Sequence, residues 1–290
     1  MNAARLLKAH LSSNHTVMAP GAPDALTARL IEDAGFPAVY MTGFGATACL
    51  TGSPDLGILT LTEMTTHARN IVRAVKTPVI ADADTGYGGP VNVARTVREY
   101  IQAGVAAVHL EDQTVPKRCG HMAGIQLVST AEMEGRLRCA TESRADSDLL
   151  IIGRTDALAA TGRDEAVRRA IRYREAGADL VFVDAIKTIA DAEAVAREVP
   201  GPLVLSIVEG NETTRLLPAD LKHMGYALVL YPLSALFAAA RSIREVLRGL
   251  KTNGSTFSDS HRMLTYAEFS EAVRLGDFLS LQDRFSPPRD

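Results

Sequence analysis

The run Lys117-Arg118-Cys119-Gly120-His121 is where the residue types of this chain come closest to chemistry. A thiol lies among two cations and an imidazole, and a glycine gives the backbone room to bend. Positive charge beside a cysteine favours thiolate and lowers its pKa, making it a better proton donor or nucleophile near neutral pH. The plainer reading takes Lys117 and Arg118 as solvated loop charges and Cys119 as a small buried hydrophobe. That reading must also account for Asp82 and Asp84 upstream and for Glu111 just before the run. In strand geometry Asp82-x-Asp84 puts two carboxylates on one face. Clustered carboxylates repel one another unless a cation neutralises them. With Glu111 they form an all-oxygen set, and no His or Cys pair stands at zinc spacing, so Mg2+ or Mn2+ is favoured. The GYGGP that follows Asp84 lets a loop pass close to a ligand. Arg154 suits a substrate carboxylate through its planar fork. A salt bridge to Asp156 is the competing use.

These residues need a frame, and a repeated unit supplies it. AGFPAVYMT from Ala34, AGVAAVHLED from Ala103 and AGADLVFVDA from Ala176 each follow an amphipathic helical stretch. The glycine closes the helix from the left-handed position and an apolar strand follows. Further strands are expected in VMAP at Val17, PVIADAD at Pro78, LLIIGRTDA at Leu149, PLVLSIV at Pro202 and YALVLYP at Tyr226. Eight apolar strands alternating with helices predict a parallel (β/α)8 barrel over 1–252. An open doubly wound sheet is disfavoured, because no G-x-G-x-x-G follows the first strand. A polar stretch and one more helical segment, TYAEFSEAVRL, exceed the eight units. Residues 253–290 are therefore expected to form a helical appendage that packs on a neighbouring subunit.

A barrel places its chemistry at the C-terminal ends of its strands. Tyr40, Thr42 and Gly43 fall there on strand two, Asp82 and Asp84 on strand three, and Glu111 and Asp112 on strand four. Arg154, Thr155 and Asp156 end strand five, Asp184 strand six, Ser206 and Glu209 strand seven, and Tyr231 strand eight. Strand ends are often polar, but three carboxylates from adjacent strands are harder to dismiss.

Composition narrows the rest. A chain of 290 residues with 47% hydrophobic and 22% charged residues suits a soluble globular protein with a large core. A net charge of −3 gives no reason to expect a nucleic-acid or anionic-membrane partner. Three cysteines, Cys49, Cys119 and Cys139, are too few for a disulfide framework and point to the cytoplasm. The N-terminal residues contain no signal-like apolar region, and no run is long enough to span a membrane.

DADTGYG, HLEDQ, PKRCGH and GRTDA, in this order, resemble the isocitrate lyase and phosphoenolpyruvate mutase superfamily, as do PDLGI at Pro54 and YPLSALFAA at Tyr231. The likeness is greatest to its short members: methylisocitrate lyase, dimethylmalate lyase and carboxyphosphonoenolpyruvate phosphonomutase. It implies a Mg2+-dependent barrel assembled as a homotetramer with a swapped C-terminal helix. It further implies that Asp82, Asp84 and Glu111 surround Mg2+, directly or through water, with Asp55 helping from outside. Thr42, Gly43 and Phe44 would offer donors to a substrate carboxylate, with Arg154, His121 and Gly120 also at the substrate. Cys119, on a loop that closes over the site, would protonate the enediolate left when a 2-hydroxy acid breaks at C2–C3. The base is left open between Tyr40 and a metal-bound water.

Two positions depart from the pattern. Asp184 stands where the superfamily commonly has Glu, and Ser206 where it has Asn. Both normally touch substrate, so pocket shape changes, and with it the specificity for 2-methylisocitrate that the likeness would otherwise carry. A carbon–carbon lyase acting on a 2-hydroxy di- or tricarboxylic acid is the leading expectation. A phosphonomutase or other P–C bond enzyme and a silent barrel that binds a 2-oxo acid are the alternatives.

Overall fold

In the computed structural model, which describes residues 2–13 and 15–286, the Ala-Gly steps stand where helices hand over to strands. Gly35, Gly104 and Gly177 have φ of 82°, 89° and 106°, left-handed values that a side chain with a Cβ resists. The strands are β1 (Val17–Ala22), β2 (Val39–Met41), β3 (Val79–Asp82), β4 (Ala107–Glu111), β5 (Leu150–Thr155), β6 (Leu180–Val183), β7 (Leu203–Ser206) and β8 (Tyr226–Tyr231). Each pairs in parallel with the next and β8 pairs with β1, closing an eight-stranded barrel. This is the (β/α)8 fold that the repeat predicts.

The helices run in chain order as α1 (Ala3–Leu11), α2 (Ala25–Asp33), α3 (Gly43–Thr51), α4 (Leu61–Ala74), α5 (Pro90–Ala103) and α6 (Thr130–Ser143). Then come α7 (Ala157–Ala160), α8 (Arg163–Glu175), α9 (Ile189–Glu198), α10 (Pro218–Met224), α11 (Ser234–Asn253), α12 (Tyr266–Ala272) and α13 (Leu275–Phe285). The chain divides into two compact units, Met1–Ala235 and Leu236–Asp290. The first holds the barrel; in the second, α12 and α13 follow a short 3-10 segment. No described helix is long and apolar enough to cross a membrane.

Two apolar layers hold the barrel. Tyr40, Ile80, Ile152, Phe182, Val204 and Leu230 fill its interior, joined by Ala4 and Leu7 of α1. Outside the strands, Ile71, Val97, Tyr100, Leu137, Tyr173 and Val195 from the helices pack against the sheet's other face. Strands buried on both sides read as unbroken apolar runs, which is why they were legible without alternation.

One boundary differs from expectation. The β3 strand stops at Asp82 and does not carry through Asp84. Asp82 Oδ1 accepts the Asp84 N–H at 2.9 Å, and Asp84 takes φ 47°. Such a side-chain-to-backbone bond two residues on is a turn that aspartate favours. The two carboxylates are therefore placed by a turn and not by strand pleating.

Candidate active site

At the C-terminal mouth of the barrel, Tyr40, Thr42, Phe44, Asp55, Asp82, Cys119, Gly120, His121, Arg154, Phe182, Asp184 and Ser206 line one pocket. Val208, Pro232 and Leu233 complete its wall. Glu111, Asp84 and Gly43 stand next to this wall, bonded to residues that form it. The structure therefore brings these residues together, whereas Glu209 and Tyr231, also read from the sequence as strand-end polar residues, do not line this pocket.

The acids are buried: Glu111 at 0%, Asp82 at 3% and Asp84 at 6% exposure. Asp82 Oδ2 accepts the Gly43 N–H at 3.2 Å, so the backbone at the start of α3 is already engaged. Thr42 caps the same helix, its Oγ1 accepting the Gly45 N–H at 3.3 Å. Burial opposes ionisation of Asp82, but His109, Lys117 and Arg154 outweigh it and hold its carboxyl at about 2. Asp84 is pushed up to about 6 by burial, with Asp82 and Asp55 adding repulsion against the pull of Lys117. Burial also raises Glu111 well above the ordinary carboxylate range. Neither Glu111 oxygen accepts a hydrogen bond among the described residues.

Lys117 changes the reading of the cysteine loop. Its Nζ lies 2.7 Å from Asp55 Oδ1 and 2.7 Å from Asp84 Oδ1, buried with them. Arg118 turns away and donates from Nη1 to the Ala123 carbonyl at 3.1 Å. The cations that flank Cys119 in sequence thus bond elsewhere in space. Burial pushes the Cys119 thiol up to about 11, reinforced by Asp184 and Asp55, although the His121 backbone N–H pulls the other way. The expectation of a lowered thiol pKa is corrected. At neutral pH this is a protonated thiol, equipped to give a proton and poorly equipped to attack.

The loop lies directly on the site. The Cys119 N–H donates to the Asp55 carbonyl at 3.2 Å. A Cβ on Gly120 would run into Asp184 Oδ2 and stand 2.5 Å from Asp156 Oδ1 and 2.8 Å from Arg154 Nη2. Only glycine allows the backbone this close to the ion cluster. Gly120→Ala should lift the loop. Overpacking of about 1–3 kcal/mol lowers the closed population by roughly 5- to 150-fold. The checks are slower turnover and faster alkylation of Cys119; unchanged rates of both would show that the loop does not need this approach.

Arg154 is held more tightly than a lone clamp would be. It donates to Asp156 from Nε at 3.2 Å and Nη2 at 2.8 Å, and to Asp184 from Nη2 at 2.6 Å. Glu111 Oε2 lies 3.5 Å from Nε, and the guanidinium sits 5.3 Å above the Phe182 ring. Of the two uses foreseen for Arg154, the structure shows the salt bridge to Asp156. A lysine would keep the charge and lose the fork. Arg154→Lys should reduce kcat/KM by roughly 10- to 100-fold, the worth of one or two hydrogen bonds to charged groups. Circular dichroism confirming the fold and steady-state kinetics decide it; wild-type kinetics would make Arg154 a mere rim bridge.

Sequence reasoning did not single out His109 and Phe182 as parts of the site, named Asp156 only as a strand-end acid and a competing partner for Arg154, and assigned Lys117 to the wrong partner. His109 is fully buried, with Nε2 2.8 Å from the Tyr40 hydroxyl and 3.7 Å from Asp82 Oδ1. Burial lowers it to about 4, so it is neutral. The signal was present: His109 and Glu111 are two apart on β4, hence on one face.

Residues 7–251 match the family model described as phosphoenolpyruvate phosphomutase. The chain is 42% identical over 289 residues to 2,3-dimethylmalate lyase of Eubacterium barkeri, covering 100% of both proteins. A crystal structure of 2,3-dimethylmalate lyase, itself a member of the PEP mutase/isocitrate lyase superfamily, matches with TM-score 0.91 at 39% identity, covering 100% of this chain and 99% of that one. The chain belongs to the phosphoenolpyruvate mutase/isocitrate lyase superfamily. Within the superfamily it is an enzyme of the carbon–carbon lyase class. A crystal structure of phosphonopyruvate hydrolase complexed with oxalate and Mg2+ also matches, with TM-score 0.89 at 33% identity, covering 98% of this chain and 99% of that one.

Among the described residues no three His, Cys, Asp or Glu side chains close into a metal-holding group. The donor chemistry nonetheless fits a hydrated hard cation. Glu111 has two unbonded buried oxygens, and Mg2+ keeps several of its waters and needs only one or two direct carboxylates.

Proposed function

We propose that this enzyme cleaves the C2–C3 bond of a 2-hydroxy dicarboxylic acid, of substituted-malate type, to a 2-oxo acid and a carboxylic acid. The observation that carries the reading is the half-buried Cys119 thiol lining one pocket with Arg154 and Asp184. In such a cleavage the hydroxyl proton leaves, the C2–O bond becomes a carbonyl, and the C2–C3 electron pair passes to C3. The resulting enediolate takes its proton from Cys119 Sγ. Arg154 and His121 hold substrate carboxylates, and the loop carrying Cys119 excludes water while the carbanion lives. Burial raises Tyr40 well above its ordinary value, so it takes the hydroxyl proton only by passing its own to the neutral His109, whose Nε2 lies 2.8 Å from its oxygen. Asp82, Asp84 and Glu111, with Asp55 behind them, would hold Mg2+ or Mn2+, which would supply Lewis-acid stabilisation of charge on substrate oxygens.

The pocket favours two carboxylates over three. Phe44, Phe182, Val208 and Leu233 are apolar, while Lys117 is already committed to Asp55 and Asp84. Alkyl groups at C3 suit these walls better than a third carboxylate, which would be desolvated without a partner. The test is a screen of substituted malates, 2-methylisocitrate and phosphonopyruvate with Mg2+, following 2-oxo acid release. Turnover of an alkylmalate supports the reading; release of phosphate from phosphonopyruvate alone would replace it with P–C chemistry.

We further propose a homotetramer in the cytoplasm, in which residues 253–290 pack on a neighbouring subunit. The second compact unit exposes Phe257, Tyr266, Phe278, Leu281 and Phe285, more apolar surface than an isolated unit leaves bare. Light scattering on the purified chain reads the assembly directly.

A further inference from the structure

We propose that Arg169, on the outer helix α8, is a positioning residue that ties the neck of the Cys119 loop to the strand end carrying Arg154. This rests on the loop's role in the lyase reading above. The neck is where Asp112 meets Val128: the Val128 N–H donates to the Asp112 carbonyl at 2.9 Å. Residues 113–127 lie between these two points, with Cys119 near the middle. Arg169 Nη1 donates both to Asp112 Oδ2 and to the Val128 carbonyl, each at 3.0 Å. One guanidinium nitrogen therefore pins both ends of the loop.

The same carboxylate reaches the active site. Asp112 is wholly buried, and its Oδ1 accepts the Asp156 N–H at 2.9 Å. Its Oδ2 also accepts from Thr155 Oγ1 and from the Tyr173 hydroxyl, both at 2.7 Å. Asp156 in turn aims Arg154 through the paired bonds described above. Among the described residues Arg169 bonds to none that line the pocket, yet two groups that must meet the substrate depend on what it holds. Glu165 Oε1 fixes its far side by accepting from Nε at 2.7 Å.

The arrangement separates positioning from bulk stability. Tyr173→Phe removes one donor from Asp112 and the long 3.3 Å bond that the Tyr173 hydroxyl accepts from Arg169 Nη1, and leaves the Arg169 bonds to Asp112 and Val128 in place. Arg169→Met removes the neck contact and the charge together. In Arg169→Met, alkylation of Cys119 by iodoacetamide, read by peptide mass spectrometry, should be roughly tenfold faster, the scale of losing a charge-assisted hydrogen bond. Backbone hydrogen exchange over 113–128 should rise with it, and kcat should fall more than KM changes. Tyr173→Phe should lower Tm with Cys119 reactivity unchanged. Arg169→Lys keeps the charge and cannot span Asp112 and Val128 at once. It should show the loop effect even if the methionine variant folds poorly. Wild-type Cys119 reactivity in Arg169→Lys, or equal acceleration in Tyr173→Phe, overturns the proposal. The alkylation and exchange readings need no substrate, so failure of the lyase assignment would appear separately, as no turnover by the wild type.

Discussion

Cys119→Ser is expected to fold, bind Mg2+ and bind a 2-oxo acid product, yet to cleave its substrate at least ~10²-fold more slowly, the low end for loss of a general acid. Serine nearly matches cysteine in size, so the loop and its bond to the Asp55 carbonyl survive the change. What is lost is acidity. Burial pushes the thiol up to about 11, still a far stronger acid than an alcohol. An enediolate is basic enough to take the proton from such a thiol, but a serine hydroxyl resists giving it. Iodoacetamide should inactivate the wild type, and product with Mg2+ should protect it by keeping the loop shut. If the chemistry were P–C bond formation of the phosphonomutase kind, the enolate carbon would bond to phosphorus, no carbanion would need a proton from this thiol, and the serine variant would lose little. Rapid mixing with an alkylmalate measures the step; near-normal C–C cleavage by Cys119→Ser would falsify the role given to the thiol.

The raised thiol pKa marks where sequence reading stops. Lys117, Arg118 and Cys119 are neighbours along the chain, and chain neighbours invite an electrostatic argument. In a loop, however, successive side chains leave in different directions, and each cation goes where the strongest partner lies. For Lys117 that partner is a pair of buried carboxylates, one of them Asp55, 62 positions earlier by residue number. No local pattern encodes that distance. The fold was legible for the opposite reason: Ala-Gly closures, apolar strands and amphipathic helices are local, and each repeat states the same instruction. Because a barrel puts all its strand ends on one face, local information also located Asp184, Ser206 and Arg154 at the mouth. It could not say that Arg154 would be shared among Asp156, Asp184 and Glu111. It also missed α3, whose start binds Gly43 to Asp82, because GFGATACLT carries glycine and threonine where a helix former would be expected.

Asp84→Ala is expected to abolish metal-dependent turnover, a loss of roughly 10³-fold or more, since Lewis-acid stabilisation is worth several kcal/mol. The reasoning starts from charge. Asp84 is one of only a few anionic groups within reach of the site, and a hard cation with retained waters depends on them. Removing it also leaves Lys117 with Asp55 alone, so the ammonium has less reason to stay near the acids. The wild type should lose activity in EDTA and regain it with Mg2+ or Mn2+; the variant should regain nothing. Acid should act in the same direction. Burial and neighbouring carboxylates push Asp84 up to about 6, so below that pH protons compete with the metal for the site. Metal affinity measured by titration calorimetry should therefore weaken as pH falls through this range and strengthen above it. Undiminished turnover in metal-free buffer, or a pH-independent affinity, would remove Asp84 from the metal site and leave it as the counter-ion of Lys117.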